Sequence, residues 1–181
     1  MNAAAAAFIR ATDRVSAISG AAAVAGLAAI ASLMLAEVFS RNFLGKSLHV
    51  TWELSAYAMG AVFFLAAPAA LLRGEYVRVG ILFELLSPRA ARALDALATL
   101  AGLAVAAYIA AALFGLTSRS FAGDVRSWSG YRFPLVVPQA IFTTGAALFA
   151  LQLLSRLARI LTAQQPDLLP NTEPDDVDLH T

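Results

Sequence analysis

Hydrophobic positions in this chain neither alternate nor recur as a narrow stripe; they run on in four long blocks. No Lys, Arg, Asp or Glu interrupts Val15–Ala36, Leu54–Leu72, Ala96–Ser118 or Phe133–Ser155, which are 22, 19, 23 and 23 residues long. A helix rises about 1.5 Å per residue, so about 20 apolar residues cross a hydrocarbon core of about 30 Å. Each block meets that length, the longer ones with room for tilt. The blocks are rich in Ala and Leu and lack a period of two, which excludes membrane strands. A soluble bundle would need a polar face on every helix, and none of the blocks has one. The pattern predicts an all-α integral membrane protein with four transmembrane helices at 15–38, 52–72, 93–116 and 134–160, together a membrane domain of 15–161.

The residues between the blocks supply starts and stops. Residues 1–14 are Ala-rich, with Arg10, Asp13 and Arg14 near their end, and read as a helical lead-in at the lipid surface. The first block is too long for a signal-peptide core of about 7–15 residues, so the first helix is expected to stay. Glu37 and Arg41 stand four apart with the acid first, the order that favours an ion pair on a helix surface. Gly45 breaks the first helix, Thr51 is a candidate cap for the second, and Glu53 lies near the positive end of its dipole. Trp52 has the ring that prefers headgroup level. Pro68 is a candidate kink, and Gly74 a stop.

Tyr76–Leu86 carries Val77, Ile81, Leu82, Leu85 and Leu86 at mostly helical spacing with Arg78 and Glu84 among them, which predicts a short amphipathic helix in the interface between the second and third spans. Ser87 followed by Pro88 reads as an N-cap with proline at the first helical position. Arg92 and Asp95 fall on one face at the wet end of the third span, and Ala98, Gly102, Ala106 and Ala110 form a small-residue row on it. Residues 117–132 read as a polar connection anchored by Trp128 and Tyr131. Pro134 and Pro138 fall in the first turns of the fourth span, where proline costs least, and Arg156 and Arg159 close it. Residues 162–181, with three prolines and five acids, read as a disordered acidic tail.

Composition sharpens this picture. The chain is 60% hydrophobic and 14% charged, against about half and about a quarter in soluble domains. It has no cysteine, hence no disulfide, thiolate metal site or Cys nucleophile. A net charge of +1 without a basic run gives no nucleic-acid surface. Eight arginines (Arg10, Arg14, Arg73, Arg78, Arg89, Arg92, Arg156 and Arg159) flank one side of the membrane and five basic residues the other, so the positive-inside rule predicts both termini in the cytoplasm. Membrane enzymes and coupled carriers place an ionisable or metal-binding residue at bilayer depth. The four blocks hold none, and the two histidines, His49 and His180, lie in a connection and the tail. Glu37, Glu53 and Asp95 stand at helix ends, where a carboxylate stays hydrated. Gln139 and Gln152 read as interhelical glue or, alternatively, as the lining of a substrate path. No catalytic, cofactor or metal residue emerges, and the chain is expected to work inside a larger assembly.

The run Glu37-Val38-Phe39-Ser40-Arg41-Asn42-Phe43, the Gly-Lys-Ser turn at 45–47 and Trp52-Glu53-Leu54 resemble the first connection of the small membrane subunit of TRAP transporters, the DctQ type. Arg73-Gly74-Glu75-Tyr76-Val77-Arg78-Val79 is similar to that family's second signature, although the family more often has His at the place of Tyr76 and Asp at that of Gly80. The resemblance covers roughly residues 10–161. It implies a bacterial inner-membrane secondary transporter in which a secreted solute-binding protein (DctP type) captures a dicarboxylate-like organic acid and a large permease subunit (DctM type) moves it inward by symport on a sodium gradient. Substrate and sodium ligands would lie in that partner, so this chain needs no cofactor. Contacts are then expected at Gly26, Gly60, Gly102 and Gly145 along the helices, at Glu37, Arg41, Trp52 and Glu53 on the outer rim, and at Arg73, Glu75 and Arg78 at the cytoplasmic end. A stand-alone four-helix carrier and a regulatory or assembly subunit of another membrane complex are the rival readings. The first needs a carboxylate at bilayer depth.

Overall fold

A computed structural model describes residues 3–47, 50–74 and 87–162. They form four helices: α1 (Ala3–Phe43), α2 (Val50–Arg73), α3 (Pro88–Ala122) and α4 (Val136–Leu161). All four are long and apolar enough to cross a membrane, and the described residues contain no strand. The expected interfacial helix at 76–86 and the acidic tail lie outside the described residues.

α4 is the hub. It packs along both α2 and α3 and meets α1 at one end, while α1 lies along α2. Apolar surface gains nothing by leaving lipid for another apolar surface, so helices in a bilayer are held by close packing and by hydrogen bonds between them. The closest approach joins α2 and α4: a Cβ at Gly145 would fall 2.6 Å from the backbone carbonyl oxygen of Phe64. One turn away, Gly60 receives the ring of Phe142, which also stacks on Phe64 at 5.5 Å. Gly20 meets Ala69 and Gly26 meets Val62 between α1 and α2, and Gly102 faces Leu153 between α3 and α4. Of the small-residue row on α3, Gly102 and Ala106 turn inward and Ala98 is exposed.

Several boundaries differ from the sequence reading, each for a local reason. The lead-in is not a separate element, because the Ala-rich run continues α1 without a break. Ser87 caps α3 as expected, its hydroxyl accepting from the Ala90 N–H at 3.4 Å with Pro88 in the first turn. The far end of α3 runs on to Ala122 rather than stopping at 116. Its polar residues satisfy the helix instead of leaving it. Thr117 donates to the Leu113 carbonyl, while Ser118 and Arg119 both donate to that of Gly115. Thr51 does not cap α2; it lies inside the first turn, with its hydroxyl turned to Glu37. Pro68, itself fully buried, is accommodated within a continuous α2. Gly74 ends that helix with φ of +73°, the left-handed conformation glycine adopts without a Cβ penalty.

Gly145→Val should be disruptive, because its side chain would press on backbone rather than on a movable ring. A loss of at least about 1–3 kcal/mol is expected in detergent unfolding. Gly115→Ala, which meets open space, should be near neutral in the same measurement.

Candidate functional site

The polar groups of the bundle gather at its two ends. At the end formed by the α1–α2 turn, Glu37 is 7% exposed and acts as the centre of the turn. Its Oε1 accepts from Arg41 and from Ser47, both at 2.8 Å, and its Oε2 accepts from Thr51 at 3.4 Å. Ser40 donates to the Lys46 carbonyl at 2.8 Å, and Gly45 reverses the chain at φ of +63°. Glu37 and Arg41 are therefore not the plain surface pair their spacing suggested. Arg41 is exposed, but the acid is buried and gathers the turn residues around it.

Beside this turn, Glu53 accepts from the Tyr57 hydroxyl at 2.8 Å and faces Ser127 and Ser129 of the α3–α4 loop, where the Ser127 hydroxyl donates to that of Ser129 at 2.7 Å. Ring stacking of Tyr57 on Phe133 at 5.8 Å secures the same loop. That loop folds back on itself: Ser127 donates to the Phe133 carbonyl, Leu135 to that of Val125, and Asp124 and Arg132 take left-handed φ values. Trp128 stands fully exposed on it, with Tyr131 and, across from it, Trp52 also exposed. These are the rings that favour the headgroup layer.

At the opposite end, ion pairs tie three helices. Asp95 on α3, 6% exposed, takes Arg156 of α4 through both carboxylate oxygens, at 2.8 and 3.1 Å. Arg156 also donates to Thr99. Asp13 on α1 takes Arg159 of α4 and accepts from Gln152 at 3.2 Å, whose own carbonyl accepts from Ser16 at 2.9 Å. Gln152 is thus interhelical glue. Asp95 is not the hydrated end-of-helix acid expected from its position, because α4 covers it and supplies its counter-charge. Ser155, one residue from Arg156, is fully buried with no hydrogen-bond partner.

The expected contact residues therefore separate. Glu37, Arg41, Trp52 and Glu53 come together at the turn end. Gly26, Gly60, Gly102 and Gly145 each lie against a neighbouring helix of this chain. Arg73 closes α2 at the opposite end, while Glu75 and Arg78 lie outside the described residues. Asp13, Asp95, Gln152, Arg156 and Arg159 were absent from the expected set. Their partners are 57 to 146 positions away in sequence, so no local spacing joins them; the one available signal was their placement at the rims of the uncharged blocks. Among the described residues no three His, Cys, Asp or Glu side chains gather as metal ligands would.

A bundle of four membrane-crossing helices, tied at each end by its own polar groups, is built as a polytopic membrane subunit. The sequence model of the family described as "Tripartite ATP-independent periplasmic transporters, DctQ component" matches residues 30–163. The chain belongs to this family. It is the small membrane subunit of a TRAP transporter, a transporter component and not a member of an enzyme family. A comparison with individually curated proteins finds no match.

Arg156→Gln should strand the buried Asp95 carboxylate and lower stability by about 3 kcal/mol in unfolding from micelles. Combining it with Asp95→Asn should recover most of that loss, because no uncompensated charge then remains.

Proposed function

We propose that this chain is the stationary scaffold of its transporter. It packs beside the large permease subunit and widens the fixed wall against which the moving part of that subunit works. A periplasmic solute-binding protein delivers an organic acid, dicarboxylate-like in chemistry, and a sodium gradient drives symport through sites in the large subunit. The observation that carries this reading is the use made of the acids. All five carboxylates among the described residues are engaged by groups of the chain itself: Asp13 by Arg159 and Gln152, Glu37 by Arg41, Ser47 and Thr51, Glu53 by Tyr57, Asp95 by Arg156, and Asp124 by Arg126. A carboxylate that holds two helices together is poorly suited to bind and release an ion in every cycle, whereas it suits a rigid wall.

The excess of arginines on the side of the termini supports an inner-membrane orientation with both termini cytoplasmic. The turn end then faces the periplasm. Glu37, Arg41, Trp52 and Glu53 form its rim toward the docked receptor, and Arg73, Glu75 and Arg78 anchor the cytoplasmic boundary.

Affinity purification of the tagged chain from its native membrane in mild detergent tests the reading. Recovery of one large polytopic protein near one-to-one is expected. Recovery of the chain alone, as a stable dimer that moves solute in liposomes, would replace the scaffold with a stand-alone carrier.

A further inference from the structure

The scaffold reading requires a face that meets the large subunit, and the structure distinguishes one. Tyr108 lies on α3, one residue from the midpoint of the charge-free run 96–118. The boundaries of that run are about 15 and about 18 Å away along the helix, too far for a phenol tip to reach headgroups by leaning along the surface. Yet the side chain is 75% exposed, and no residue among those described hydrogen-bonds to it. A tyrosine normally sits at the membrane boundary, where its hydroxyl finds water or a headgroup. At mid-depth, lipid tails offer the hydroxyl no partner.

A second observation lies beside it. α2 and α3 both pack on α4, and between them runs an apolar groove of about 520 Å³ whose lining includes Phe63, Phe64, Gly102, Val105 and Ala146. Helical geometry sets Tyr108 about 60° around α3 from Val105, on the lip of the groove. Around it the outward face is small: Ala101, Ala104, Ala111 and Ala112 are all exposed. Residues of that size let a neighbouring backbone approach closely. The same row ends eleven residues on at Arg119, exposed and without an acidic partner among the described residues.

Resting on the scaffold reading, we propose that the α3 face around Tyr108, with the groove beside it, docks a transmembrane helix of the large permease subunit. That helix presents a hydrogen-bond acceptor to the Tyr108 hydroxyl at mid-depth and an acidic group to Arg119 near the periplasmic boundary. An acyl chain would fill the groove but leave the hydroxyl without an acceptor. A protein helix satisfies both.

The chain has no cysteine of its own, so each introduced cysteine is its single labelling site, and the unaltered chain carried through the same labelling gives the background. Ala104→Cys and Ala111→Cys on this face, and Val24→Cys on the exposed side of α1, are labelled with a benzophenone maleimide in membranes containing the co-expressed large subunit, then illuminated. Adducts with the large subunit are expected from 104 and 111, at least about tenfold above those from 24. Tyr108→Phe should weaken co-purification of the large subunit about three- to thirtyfold, the range for one interhelical hydrogen bond in a membrane. Adducts from 104 and 111 to lipid or to a second copy alone, with the complex intact, would overturn the docking face and leave the scaffold reading standing. Full retention of the large subunit by Tyr108→Phe would overturn it equally. Failure of the unaltered chain to capture any large subunit would overturn both.

Discussion

Within hydrocarbon, water satisfies no polar group and apolar surface gains nothing by pairing with other apolar surface. The arrangement of this chain follows from that constraint. Its helices are held where backbone can approach backbone, above all at Gly145 against the Phe64 carbonyl, and where a polar group on one helix finds its complement on another. Three hydroxyls inside the bundle obey the same rule: Ser19 donates to the Leu65 carbonyl across α1 and α2, and Thr117 pairs with Thr143 across α3 and α4. α4 takes part in most of these contacts. It reaches α1 through Gln152 and Arg159, α2 through Gly145 and Phe142, and α3 through Arg156 and Thr143.

The two ends are built differently, and the difference bears on function. At the termini end the pairs are long-range and link separate helices, so they set how α1 and α3 stand against α4. At the turn end Glu37 gathers one local turn, while Tyr57, bonded to Glu53, stacks on Phe133 and so holds the α3–α4 loop against α2. A fixed frame at one end and a shaped, aromatic-rimmed surface at the other are consistent with the scaffold role proposed above.

Much of the fold was legible in the order of residues. The four uncharged blocks located the helices because lipid tolerates no charge, and Ser87-Pro88 and Gly74 marked a start and a stop through backbone rules that act locally. Legibility failed where distant residues decided the outcome. Thr117, Ser118 and Arg119 have the polarity of a loop, but each bonds a helix carbonyl one turn back and so stays in α3. Asp95 looked hydrated because Arg156, 61 positions on, is brought to it only by folding. The glycines mark places of close approach, and the neighbours that fill those places are side chains and backbone of other helices in the same chain. In the candidate site, Glu37 and Arg41 were found by their spacing, while the burial of Glu37 depended on Ser47 and Thr51 folding back across the turn.

The account holds that ion coupling resides outside this subunit and that its carboxylates serve structure alone. The most direct measurement is the number of ions moved per substrate by the purified complex in liposomes. It should be made with the unaltered chain, with Glu37→Gln, and with Asp95→Asn paired with Arg156→Gln. The account predicts the same ion-to-substrate ratio in all three, with changes confined to complex stability. A lower ratio in an intact complex would contradict it and place an ion site in this chain.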